Sequence, residues 1–200
     1  MSKYIGPNFK IIRRLGFLNG LITIYKYNLL KYIYRDIVFY KKKSKYLIRL
    51  EEKQKLRFNY GITEKQLIKY IHKLKIFKEE YIILKFIEMR LDNIIFKLGI
   101  SSTIYEAKQL INHKHINNNN NTISIPSYFC KYNNNIIFNK KSNIIILNNF
   151  YLIMNKKNYK FFYYLNFNNK IYTSYINNIL YTKWIDLKII GIFIYSYYFT

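Results

Sequence analysis

One cysteine, Cys130, is all that the 200 residues contain. That excludes a disulfide within the chain and a cysteine-rich zinc site. No long apolar run is present either. The tail at residues 189–199 is apolar, but it is broken by Gly191 and Ser196 and is too short to span a bilayer. It is expected to be a buried C-terminal element. The start of the chain is polar and basic from Lys3 onward, so no secretory signal is read. A Gly-rich phosphate loop, a nucleophile elbow and an acid pair are also missing. His72, His113 and His115 have no carboxylate cluster beside them that would complete a metal site. The expectation is no catalysis, no metal and no cofactor.

Acidic residues are scarce: 10 Asp and Glu stand against 34 Lys and Arg, for a net charge of +24. A charge that large calls for a polyanion, and nucleic acid is the usual one. The basic residues are spread along most of the chain, which suits a protein wrapped by RNA. Arginine is scarce as well, limited to Arg13, Arg14, Arg35, Arg49, Arg57 and Arg90. The wealth of Ile, Asn, Lys, Tyr and Phe follows AT-rich codons, so single Tyr or Asn residues carry little functional weight. The six arginines carry more, because such a bias turns Arg into Lys unless the planar fork matters.

The spacing of apolar residues predicts helices through the first half. Residues 2–21 read as a basic arm with one helical turn near Phe9 to Leu15, interrupted at its start by Gly6-Pro7. Residues 45–60 read as a helix in which Arg49, Lys53 and Arg57 repeat every four residues as a basic stripe. Gly61 ends it. Thr63 and Gln66 form a capping box for the next helix, which turns Leu67, Tyr70 or Ile71, Leu74 and Phe77 inward. Lys65, Lys69 and Lys73 make a second basic stripe there. A further helix is expected from Glu79-Glu80 through Leu98, with Leu84, Ile87, Leu91, Ile94 and Leu98 on one face. Gly99 then stops it, and Thr103 and Glu106 cap a helix that buries Ala107, Leu110 and Ile111. Its other faces carry Lys108, Gln109, His113 and Lys114.

After Ile116, residues 117–121 are all asparagine, which tolerates left-handed turns and so permits a hairpin. Strands are expected at residues 122–125, 127–131, 136–138 and 144–147. Trp184, Leu187, Ile190 and Ile194 are expected to dock the last segment on the earlier helices.

The run Ile87, Glu88, Arg90, Leu91, Ile95, Phe96, Lys97, Ser101, Thr103, Ala107, Lys108, Leu110 and Ile111 resembles the RNA-binding fold of the small-subunit ribosomal protein S-four family. The flanks extend the likeness. Lys10-Ile11-Ile12-Arg13-Arg14-Leu15-Gly16 is similar to that family's N-terminal arm. Ile48-Arg49-Leu50-Glu51-Glu52-Lys53-Gln54-Lys55-Leu56-Arg57-Phe58 and Tyr60-Gly61-Ile62-Thr63-Glu64-Lys65-Gln66 resemble its helical domain. Ile125-Pro126-Ser127-Tyr128 with Cys130-Lys131 resembles the organellar, plastid form. Lys97 and Lys108 stand where the family often has Arg, and Asn118-Asn119-Asn120 replace its usual hairpin tip.

The resemblance implies an α+β fold: a helical domain with an inserted helix-turn-helix and small antiparallel sheet, preceded by an extended basic arm. The expected boundaries are residues 1–44 for the arm, 45–88 completed by 178–200 for the helical domain, and 89–177 for the RNA-binding module. It implies a structural protein that binds small-subunit (16S-type) rRNA directly, nucleates assembly, lies beside proteins three and five, and contributes to translational accuracy. The alternative is an RNA-modifying enzyme or a free RNA chaperone using the same module. Arg90-Leu91-Asp92 matches a pseudouridine synthase motif, yet it lies inside the module's own helix, where a surface pair or cap is the expected role. The candidate RNA-binding residues are Lys10, Arg13, Arg14, Arg49, Lys53, Arg57, Lys65, Gln66, Lys69, Arg90, Asn93, Lys97, Ser101, Thr103, Lys108, Gln109, His113, Lys114 and His115. Charge reversal at Arg49, Arg57 or Arg90 is expected to weaken RNA binding more than at Lys156 or Lys157. The codon bias points to an organellar ribosome, a plastid such as the apicoplast, with the mitochondrion as the alternative.

Overall fold

The computed structural model describes residues 6–21, 44–74, 80–119, 121–131, 133–138, 165–168, 173–176 and 191–199. The expectations for Phe77, for residues 144–147, and for Trp184, Leu187 and Ile190 lie outside the described residues. The chain divides into two compact units, Met1–Leu84 with Leu187–Thr200, and Lys85–Asp186.

The first unit is helical. Helix α1 (Asn8–Leu15) starts behind Pro7, whose fixed φ suits a helix entry. It buries Ile11, Ile12 and Leu15 and leaves Lys10, Arg13 and Arg14 exposed. Here the arm is more ordered than the sequence suggested. An eight-residue amphipathic helix replaces the single turn, because three apolar residues at helical spacing find a surface to bury against. The Gly20 N–H donates to Asn59 Oδ1 at 3.0 Å, tying the segment after α1 to the end of the next helix. That helix, α2 (Lys45–Asn59), is capped by the Ser44 hydroxyl, which accepts from Leu47 N. Helix α3 (Glu64–Leu74) opens with the expected capping box: Gln66 N donates to Thr63 Oγ1, and Thr63 N donates to Gln66 Oε1. Leu67 and Ile71 are buried, so Ile71 rather than Tyr70 fills the inward position. Helix α4 (Glu80–Glu88) follows. The last helix, α7 (Gly191–Phe199), packs on α2 with Ile194 buried.

In the second unit the single helix expected to run through Leu98 is broken. Helix α5 (Leu91–Lys97) begins anew, with Arg90 as an extended N-cap. The cause is tertiary. Leu91 N donates to Tyr128 O at 2.9 Å and Asp92 N to Pro126 O at 3.2 Å, while Cys130 N donates to Met89 O at 3.0 Å. Arg90 also bridges Phe129. A loop from later in the chain thus takes the donors that a continuous helix would have used. For the same reason residues 127–131 form a lone bridge rather than the expected strand. Helix α6 (Ile104–Asn112) is capped by Thr103, whose hydroxyl accepts from Glu106 N. The Glu106 carboxylate reaches Ser102 N and Oγ, one residue earlier than the usual box.

Among the described residues five strands follow: β1 (Ile116–Asn118), β2 (Asn121–Thr122), β3 (Asn135–Phe138), β4 (Leu165–Asn168) and β5 (Thr173–Ile176). They pair antiparallel in the order β2-β1-β3-β5-β4. Asn118 faces Asn121, and Asn119 holds φ of 48° at the tip, the left-handed geometry that asparagine tolerates. Strand β2 is shorter than the expected 122–125. The core of this unit gathers Leu91, Ile94, Ile95, Leu98, Ile100, Ala107, Ile111, Ile116, Cys130, Ile136 and Phe138.

Three helices stop in the same way. After α2, Gly61 N donates to Phe58 O and Ile62 N to Arg57 O. After α5, Gly99 N donates to Phe96 O and Ile100 N to Ile95 O. After α6, Lys114 N donates to Ile111 O and His115 N to Leu110 O. Each is a Schellman stop, which needs a left-handed residue. Gly61 and Gly99 supply it at φ of 57° and 77°, but after α6 a lysine does so at 58°. Lys114→Gly is therefore expected to stabilise the fold by about 1 kcal/mol, relieving the Cβ clash of that conformation. The check is a higher urea midpoint at unchanged m.

Candidate nucleic-acid interface

Among the residues whose burial is described, the acids face inward. Glu52, Glu64, Glu88 and Asp92 are buried, and Glu51 and Glu106 are half-buried. Where exposure is described, the exposed cations are Lys10, Arg13, Arg14, Lys45, Lys65, Lys69, Lys73, Lys114 and Lys131, and no exposed side chain is acidic.

In the first unit Glu64 is a hub. Lys53 Nζ and Arg57 Nε each lie 3.2 Å from its carboxylate. The Tyr198 hydroxyl of α7 donates to the same group. Lys53 also stands 3.9 Å from the centre of the Tyr197 ring, a cation–π contact. The stripe read as Arg49, Lys53 and Arg57 is thus split by burial. Lys53, 5% exposed, is corrected from an RNA contact to an internal ion pair that clamps the C-terminal helix. Arg57 is half-buried between Glu64 and Gln54, and Arg49 is half-buried.

Burial pushes the Glu64 carboxyl up. The hydrogen bonds from Tyr198 and Lys53 and the charges of Lys53 and Arg57 outweigh it and hold the group below its ordinary 4.5. With the folded value below the unfolded one, the hub's contribution is complete above that ordinary value and is lost as pH falls through the folded one. Glu64→Gln is expected to remove that acid-sensitive part of the stability. Thermal melts followed by circular dichroism between pH 6 and pH 3 are the check.

The second unit holds a matching internal network. The Arg90 guanidinium, 2% exposed, forks onto Asp92, with Nε 3.1 Å from Oδ1 and Nη2 2.7 Å from Oδ2. Lys108 Nζ is 3.7 Å from Asp92. Lys97, 6% exposed, pairs with the buried Glu88 at 2.7 Å. The Asn93 side-chain amide donates to the Glu88 carbonyl at 3.1 Å and to its carboxylate. Burial, and then the Asp92 charge, push the Cys130 thiol up to about 12, so it is protonated and inert.

Arg90, Asn93 and Lys97 are therefore corrected as well: they hold α5 to the end of α4 and to the loop beyond. Ser101 is fully buried and so presents no surface to RNA. The Arg-Leu-Asp motif is a buried pair, not a surface one.

The remaining candidates stay in reach of solvent. Lys10, Arg13 and Arg14 project from α1, and Lys65 and Lys69 from α3. Gln109, His113 and Lys114 are exposed at the end of α6, with His115 half-buried and its ring centre 6.1 Å from that of His113. Gln66 and Thr103 spend their side chains on caps. Lys45, Lys73 and Lys131 are exposed and were not among the candidates. Lys73 completes the basic stripe that the spacing of Lys65 and Lys69 predicts. Among the described residues no helix is long and apolar enough to cross a membrane, and no three His, Cys, Asp or Glu residues gather as metal ligands.

Two family models match the chain. One, described as ribosomal protein S4/S9 N-terminal domain, covers residues 3–82, and the other, S4 domain, covers residues 89–136. Small ribosomal subunit protein uS4c of Gossypium hirsutum is 44% identical over 200 residues, covering 99% of this chain and 98% of that one. The protein of the same name from Phaseolus vulgaris is also 44% identical with the same coverage. That of Marchantia romanica is 58% identical over 134 residues, 66% of this chain and 65% of its own.

Proposed function

The chain belongs to the ribosomal protein S4 family, and from that premise we propose that it is a structural component of a small ribosomal subunit that binds small-subunit rRNA directly. It is not an enzyme. One observation carries the reading beyond the likeness: where exposure is described, every exposed charge is a cation, and Glu52, Glu64, Glu88 and Asp92 are buried in ion pairs. Such a surface neutralises phosphates and displaces counterions. Tertiary RNA of regular helices is read by shape and backbone, and the long flexible lysines of α1 and α3 suit that mode.

The relatives named uS4c support a plastid ribosome. The AT-driven composition supports a reduced plastid of the apicoplast kind. We assign early binding that nucleates assembly, neighbouring proteins three and five, and a part in translational accuracy as the roles that go with this place in the subunit. In this reading residues 1–44, 45–88 with 178–200, and 89–177 act as arm, helical domain and RNA-binding module. The RNA-facing set is Lys10, Arg13, Arg14, Lys65, Lys69, Gln109, His113, Lys114 and His115, with Lys45, Lys73 and Lys131 added.

Sedimentation of an organelle lysate tests this. The chain is expected in the small-subunit peak at physiological salt and to be released with the ribosomal proteins at high salt. A soluble pool active on free RNA, with nothing in the subunit peak, contradicts it.

A further inference from the structure

A groove runs between α1 and α2, lined by Lys10, Ile11, Arg14 and Leu15 from one and Gln54 and Phe58 from the other. It encloses about 380 Å³, within the range of small-ligand sites. Its polar groups share one property. Lys10 and Arg14 are exposed, one helical turn apart, and can only donate. Gln54 Oε1 accepts from Arg57 Nη1 at 3.2 Å. A guanidinium has no acceptor, so the glutamine must turn its oxygen to it, which leaves the Nε2 donors as the free polar edge. The wall beside them is the half-buried ring of Phe58, and Ile11 and Leu15 are buried below. An occupant must therefore bring a flat apolar face, acceptors and negative charge together.

We propose that this groove binds one unpaired nucleotide of the RNA, with its phosphate on Lys10 and Arg14 and its base against Phe58, read by the Gln54 amide. The site rests on the reading that the chain binds rRNA, and it adds a sequence-sensitive point to a surface that otherwise grips phosphate. The Gln54 donors favour a base edge with acceptors, such as guanine O6 and N7 or the pyrimidine carbonyls, over the adenine amino edge. An acidic peptide would satisfy the cations but would leave the ring and the amide without complementary groups.

The test uses the full-length chain and the transcribed small-subunit rRNA of the same organelle. Ultraviolet crosslinking with mass spectrometry is expected to place a nucleotide on the tryptic peptide that begins at Phe58. Phe58→Leu keeps an apolar side chain and removes the π face, so it should abolish that crosslink and weaken binding about tenfold. It should leave the salt slope and the melting curve unchanged. Lys10→Gln should instead lower the slope by about one phosphate. Wild-type binding without a crosslink on that peptide, and with Phe58→Leu matching wild type, overturns the nucleotide site while the rRNA reading stands. A lysine crosslink from Lys10 to an acidic segment of a neighbouring protein in intact subunits overturns it in favour of a peptide. Failure of the wild-type chain to bind the transcript counts against the rRNA reading itself.

Discussion

Glu64→Ala is expected to destabilise the helical unit by roughly 3 kcal/mol and to release the C-terminal helix. Removing one partner of a buried ion pair costs about 3–5 kcal/mol, because the other charge is left without compensation. Here two cations lose their partner, Lys53 with a side chain 7% exposed and Arg57 with one 24% exposed. Arg57 can recover water, which sets the estimate at the lower end. The Tyr198 hydroxyl loses its acceptor as well. Burial, followed by the hydrogen bond to Glu64 and then the charge of that group, pushes the phenol far up, so it is a neutral donor at any working pH. Glu64→Gln keeps an acceptor and should cost less than Glu64→Ala. Equilibrium unfolding in urea compares the two, and limited proteolysis after Tyr197 or Tyr198 reports the helix. Equal stability of Glu64→Ala and wild type would remove the hub from the account.

Arg90→Ala is expected to cost about 3–5 kcal/mol in the other unit, for the same reason and with fewer escapes. Arg90 and Asp92 are 2% and 1% exposed at the side chain, and Lys108 at 3.7 Å offers only a distant substitute. Arg90→Lys retains the charge but not the fork, and should fall between Ala and wild type. Cys130 supplies the readout. It is fully buried and its N–H is bonded to Met89 O, so a thiol reagent should label it only when this unit opens. Labelling should be faster in the order wild type, Arg90→Lys, Arg90→Ala. Under conditions that keep the Ala variant folded, its RNA affinity and salt slope should match wild type. A contact residue would lose affinity without losing protection of Cys130, and that pattern would restore Arg90 to the RNA surface.

The helices were largely readable because their signals are local. Thr63 with Gln66, Thr103 with Glu106, Gly61 and Gly99 all act within one turn of the backbone. Less readable was anything decided by a distant segment. The break at Met89–Arg90 depends on carbonyls of Pro126 and Tyr128, some 35 residues later. That break re-aims Arg90 and Asn93 into the interior, so two residues that a continuous helix would have left in question became core. The stripe of Arg49, Lys53 and Arg57 is split by burial at Lys53 for a related reason. Helical spacing says which residues share a face, but not that Glu64 and two C-terminal tyrosines cover it. Lys65, Lys69 and Lys73 share the same spacing and are exposed. Scarcity of acid was the clue available in advance. With ten carboxylates for 34 cations, Glu64, Glu88 and Asp92 go to Lys53, Lys97 and Arg90, cations that burial cannot leave bare and that are the least able to meet RNA.

The exposed cations hold rRNA through its phosphates, while the buried cations serve the fold. The most direct test is the salt dependence of binding to the small-subunit rRNA, measured for wild type and for Lys65/Lys69/Lys73→Gln. If most of the nine exposed cations described each neutralise a phosphate, log K against log salt falls with a slope of about −6. The triple variant should lose about two units of that slope and none of its folding stability. A nearly flat slope in wild type, or an unchanged slope in the triple variant, would contradict the account.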